Sequence, residues 1–301
     1  MFIRYQFQII LLILLFINPP VMAGCMEAID LNHRAHSQYV KGEYTAAKSL
    51  LKKALYNCPN HVESHNNLAE ILQAEGQYTQ AIAHYRQALD KNPNLAGAWH
   101  GLGETNYKQD QFPLSLEAHL HVCKTDKDSQ ARIVELLENN RYAVTEAGKI
   151  LNKDSLLLLY DKNRRAKINK MLANCGLRAK IKYVVIFRNL VFNSGKATLK
   201  PSSNRQLKQI AAALKVILPT WIKIDGHSDN QRWRGKSEKQ SQQLNLKLSQ
   251  QRAYTVKKGL INQNIEQNRI QAKGHGSKHP LVPGNSKAAQ AKNRRVEIAV
   301  K

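Results

Sequence analysis

The segment Trp221-Ile-Lys-Ile-Asp-Gly-His-Ser-Asp229 runs from an apolar strand into a polar turn. Its neighbours continue the pattern. Upstream, Tyr183 to Phe187 and Leu190 to Phe192 read as strand material, and Asn193-Ser194-Gly195 turns the chain. Pro201 then starts a helix with Leu207, Ile210, Ala211 and Leu214 on its apolar face. Downstream, a basic loop over 230–243 leads to a helix from about Leu248 to Asn262. Ile270 to Gly274 and Val296 to Val300 supply further strands. Strands alternating with helices predict an α/β sandwich over residues 181–301, with its helices on one face.

A different period governs the N-terminal part. Windows of 34 residues starting at Ala28, Val62 and Ala96 repeat one another. The second carries Leu68-Ala69, Gly76, Tyr78, Ala81, Tyr85, Ala88 and Pro93; the first matches it with Ala35, Gly42, Tyr44, Ala47, Leu51, Ala54 and Pro59. The third keeps Trp99, Leu102-Gly103, Phe112 and Ala118 but has Lys127 in place of the closing proline. Small residues let two antiparallel helices approach, large ones fill the space beside them, and proline ends the second helix. The stretch resembles tetratricopeptide repeats, a helical solenoid, set here at 24–129. That resemblance implies a concave face lined by first helices, with His65, Asn66, Trp99 and His100 as candidate contacts for an unknown protein partner. Residues 130–180 read as a helical cap and linker.

Charge separates the two parts. The chain carries 46 Lys+Arg against 22 Asp+Glu, a formal net charge of +24. Residues 1–140 hold 12 basic and 14 acidic side chains, and residues 141–301 hold 34 and 8. A basic half attracts polyanions, whether nucleic acid, anionic lipid or an acidic wall polymer. Met1 to Arg4, the apolar run Ile9 to Ile17, the breaker Asn18-Pro19-Pro20 and Val21-Met22-Ala23 form the layout of a secretory signal peptide over 1–23. An exported chain does not meet chromosomal DNA, so nucleic acid is not an expected partner. Met22-Ala23-Gly24-Cys25 resembles a lipobox, which makes Cys25 a candidate lipidation site and the sole route to a membrane; Ala23 equally suits ordinary cleavage. With Cys25 lipidated, Cys58, Cys123 and Cys175 remain; without lipid, four cysteines allow two disulfides in three connectivities.

Four segments of the C-terminal half, in order, resemble the OmpA-like peptidoglycan-binding domain: Phe192-Asn-Ser-Gly-Lys-Ala-Thr-Leu-Lys-Pro201, Ile224-Asp-Gly-His-Ser-Asp229, Asn245-Leu-Lys-Leu-Ser-Gln-Gln-Arg-Ala253 and Asn293-Arg-Arg-Val-Glu-Ile298. The resemblance implies recognition of diaminopimelate, a zwitterion in the wall peptide. It places Asp229 on the ammonium and Arg252, by its planar fork, on the carboxylate. Asn193, Asn245 and Arg294 are implied as polar pocket contacts. No carboxylate pair, zinc set or activated nucleophile stands out, so a non-catalytic protein is expected, without metal or cofactor. The expectation is a periplasmic, wall-associated protein that binds peptidoglycan and docks a partner through its repeats. A binder of anionic envelope polymers by charge alone is the competing reading.

Overall fold

The computed structural model describes residues 19–146, 148–193 and 195–301. Most of the expected leader, residues 1–18, lies outside the described residues. Two compact units divide between Gln109 and Asp110.

The first unit contains α1 (Pro19–Val40), α2 (Tyr44–Asn57), α3 (Val62–Ala74), α4 (Tyr78–Lys91) and α5 (Ala96–Lys108). The apolar run that Asn18-Pro19-Pro20 is expected to end lies outside the described residues; among these, α1 starts at Pro19, where proline in a first turn withholds only an N–H that has no helical partner anyway. Ala28, Ala47, Ala54, Ala69, Ala81, Ala88 and Ala98 are completely buried, as the close-approach argument requires. Tyr85 of α4 shows what large residues do between helices. Its ring lies over Gly101 of α5, where an added Cβ would meet the Tyr85 ring at 2.3 Å. Its hydroxyl donates to Gln73 Oε1 at 3.0 Å, and Thr105 donates to the same oxygen at 2.7 Å.

Cys25 is bonded to Cys58, clamping α1 to the end of α2. In this arrangement the disulfide holds the sulfur that a lipid thioether at Cys25, the candidate lipidation site, would need. Cys123 pairs with Cys175 in the second unit.

The second unit opens with α6 (Phe112–Leu120) and α7 (Lys127–Leu137), followed by β1 (Val144–Thr145), α8 (Lys153–Tyr160) and α9 (Lys162–Asn174). Of the stretch expected as repeats to 129 and a cap and linker over 130–180, residues 110–180 belong to the second compact unit, and Val144–Thr145 give its sheet an edge strand. After them come β2 (Val184–Phe187), α10 (Ser203–Ile217), β3 (Ile222–Gly226), α11 (Glu238–Ile261), β4 (Ile270–Gly274), α12 (Lys287–Asn293) and β5 (Val296–Val300).

The sheet order is β1-β2-β5-β3-β4. β5 is antiparallel to both β2 and β3, whereas β1–β2 and β3–β4 are parallel. Cross-strand neighbours Val185, Ile298 and Ile224 are fully buried, as are Ile210, Val256 and Leu260 of α10 and α11. Tyr160 of α8 is buried too, and its hydroxyl donates to the Ile298 carbonyl at 3.0 Å. Leu190 to Phe192, expected as a strand, forms only a single bridge between Phe192 and Leu199. The helix expected from Leu248 starts ten residues earlier at Glu238, where Ser237 and Gln240 form a reciprocal capping box.

Candidate functional site

The sheet topology brings distant segments to one end of β3. His227 N–H donates to the Arg295 carbonyl at 2.9 Å, and Ser228 N–H to the Gly276 carbonyl at 3.0 Å. Gly226, the last residue of β3, is needed here because a Cβ would sit 2.3 Å from the Ser249 carbonyl oxygen of α11. The turn after β3 and the middle of α11 are thereby held together. They enclose a cleft of about 780 Å³ whose lining includes Phe192, His227, Asp229, Trp233, Asn245, Arg252 and Arg294.

Asp229 is mostly buried at the cleft wall. Its Oδ1 accepts from the Gln231 N–H at 3.1 Å, and its Oδ2 holds Nη1 of Arg294 at 2.5 Å. Arg252 sits differently. Only 8% of it is exposed, its Nε donates to the Lys196 carbonyl at 3.3 Å, and its guanidinium lies 4.9 Å from the Phe192 ring centroid. It has no carboxylate within ion-pair distance among the described residues. Burial lowers its pKa, with the Asp229 charge opposing and the Arg294 charge adding to that shift.

Asn245 fixes the loop over the cleft. Its Oδ1 accepts the Trp233 indole N–H at 2.7 Å, and its amide donates to the Gln231 carbonyl at 3.1 Å. Four of the five expected residues, Asp229, Arg252, Asn245 and Arg294, therefore meet in one cleft. Asn193 does not join the lining; its backbone closes the exposed turn with Thr198 at 2.9 Å. Two features of the cleft go beyond what the sequence predicts. Arg294 pairs with Asp229, and Trp233 from the basic loop packs into the cleft wall. A tryptophan inside a run of Arg, Gly and Lys was the available signal for the second.

The repeat residues divide into two pairs. His65 and Trp99 occupy the same repeat position, and each reaches the carbonyl of the proline six residues earlier. His65 Nε2 lies 2.9 Å from the Pro59 oxygen and Trp99 Nε1 2.7 Å from that of Pro93. His65 is buried, its Nδ1 is 2.9 Å from His84 Nδ1, and burial lowers its pKa. His65 thus braces the turn between repeats rather than facing a groove. Asn66 donates to Glu70 at 2.8 Å, and the carboxyl of Glu70 also feels His36 and His100, which connects all three first helices. Burial nonetheless raises the Glu70 pKa.

Residues 191–294 match the model of the OmpA family. The chain carries an OmpA-family domain. Ahead of it, residues 50–83 and 71–110 match models of the tetratricopeptide repeat. Among similar proteins, the probable lipoprotein YiaD of Escherichia coli K12 is 35% identical over 112 residues, 37% of this chain and 48% of its own length. Outer membrane protein A of Bordetella avium is 34% identical over 118 residues, 39% and 56% respectively. Peptidoglycan-binding protein ArfA of Mycobacterium tuberculosis H37Rv is 32% identical over 111 residues, 37% and 32%. The chain thus spans about half of these relatives or less. Among the described residues no group of three His, Cys, Asp or Glu is placed to hold a metal, and no helix is long and apolar enough to cross a membrane.

Proposed function

We propose that the OmpA-family domain binds peptidoglycan non-covalently by seating the diaminopimelate side chain between Arg252 and Asp229. The observation that carries this reading is Arg252. A guanidinium this buried is unfavourable without a counter-anion, and nothing on the chain supplies one at ion-pair distance among the described residues. The ligand carboxylate supplies it through the planar fork, while the ammonium takes Asp229 and displaces Arg294. The similarity to a protein named for peptidoglycan binding agrees with this chemistry. The role is one of attachment at the cell wall in the periplasm, and the repeats dock a protein partner over the face formed by His36, Asn66, Glu70 and His100.

A second reading has its own support. Arg232 and Lys287 also line the cleft, so charge alone would attract an anionic polymer. Co-sedimentation with purified diaminopimelate-type peptidoglycan at low and high salt separates the two. Salt-resistant binding lost in Asp229→Ala and Arg252→Ala supports the pocket. Binding that vanishes with salt and ignores both substitutions supports the polymer.

A further inference from the structure

The cleft extends beyond the Asp229–Arg252 pair along the end of the sheet. Arg188 follows β2, Arg295 precedes β5 and His227 follows β3; the pairings Phe187↔Val296 and Gly226↔Val296 set these three side by side. All three line the cleft. Arg295 is satisfied, with Nε 2.7 Å from Glu297 Oε1 and Nη2 3.1 Å from the His279 carbonyl. The other two are incomplete. His227 is 5% exposed, yet neither ring nitrogen has a hydrogen-bond partner, and Nε2 comes only within 3.6 Å of Glu297 Oε1. Arg188 places Nη1 on Glu146 at 3.0 Å but leaves a buried Nε–H unpartnered.

Unpartnered buried donors beside one cleft cost stability unless a ligand completes them. We infer that His227 and Arg188 form a second subsite, which accepts a free carboxylate of the same wall peptide, separate from the diaminopimelate zwitterion. The inference rests on the proposed wall function. An acceptor suits the site better than a cation, since Arg295 and Arg188 surround it and Glu297 is engaged by Arg295. Burial, with the charges of Arg295 and His275, depresses the pKa of His227 to about 3, so the ring offers one N–H as a neutral donor. Its stacking on His275, centroids 5.1 Å apart, fixes the ring plane.

The test is calorimetric titration of the full chain with two soluble peptides. One is a diaminopimelate stem peptide with its other carboxylates free; the other is the same peptide with those carboxylates amidated. Wild type is expected to prefer the free form by roughly tenfold, the size of one charge-assisted hydrogen bond. His227→Phe should lose that preference while still binding the amidated peptide, and His227→Asn should regain part of it. Should His227→Phe not fold, Arg188→Lys, which keeps the charge but removes the Nε–H, is expected to cut the preference. Equal wild-type affinity for both peptides, or an unchanged preference in the folded variants, overturns the subsite. Failure of wild type to bind either peptide overturns the wall reading itself.

Discussion

Nη1 of Arg294 stands 2.5 Å from Oδ2 of Asp229, so the one acidic side chain among the described residues lining the cleft already holds a cation. Arg294 is nearly half exposed and can swing away, whereas Asp229 cannot. A ligand ammonium must therefore compete with it. Arg294→Gln should tighten binding of a diaminopimelate peptide several-fold, because the displacement no longer opposes binding, and should slightly destabilise the free domain. Titration calorimetry with thermal unfolding checks both signs. Weaker binding by the variant would make Arg294 a ligand contact instead.

Phe192 supports the guanidinium of Arg252 from one face. Phe192→Leu keeps apolar bulk and removes the ring quadrupole. Peptide affinity is expected to fall about two- to fivefold, matching a cation–π contribution of about 0.5–1 kcal/mol. An unchanged affinity would mean that the Lys196 carbonyl alone orients Arg252.

The Cys25–Cys58 bond closes a separation of 33 residues. In the chain-entropy account, a loop of this length stabilises the repeat unit by about 3–4 kcal/mol. The double variant Cys25→Ser/Cys58→Ser should lower the melting temperature of the repeat helices by several degrees, read by hydrogen exchange of α3 and α4. Equal protection in the variant would show that packing alone holds α1.

Acid should weaken the OmpA-family domain through His227. His227 has a folded pKa of about 3 against an unfolded value near 6.5. Between these values the unfolded chain binds the extra proton, so stability is complete above about pH 6.5 and falls as pH drops toward 3. The slope from this one group is at most about 1.4 kcal/mol per pH unit. Exchange of β3 and β5 amides at pH 7 and pH 5 should show the loss, and His227→Phe should flatten it. A wild-type profile flat over that interval would contradict the buried neutral ring.

Much of this was legible because period and register leave marks in the sequence. Alanines and prolines 34 residues apart located the solenoid, and four ordered segments located the sheet and its cleft. What stayed hidden had no local signal. β1 is two residues long, too short for any period. The first turns of α11, Glu-Lys-Gln-Ser-Gln-Gln, are polar and read as loop, yet Ser237 caps them. Asp229 and Arg294 are 65 residues apart and meet only through the pairing of β3 with β5. His65 looked like a groove residue by position on its helix, and only its burial against Pro59 and His84 reveals it as a brace.

The sheet's middle strand, β5, is also the last of its strands in chain order. Until that strand arrives, β2 has only the two-residue β1 beside it and cannot pair with β3, so the early strands wait as two separate pieces. A ribosome delivering the chain from its N-terminus would finish the helical repeats first and leave the sheet open until β5 is made. Closure of the cleft is then a late event in the protein's life, and a message truncated shortly before β5 would yield repeats followed by a sheet without its middle strand.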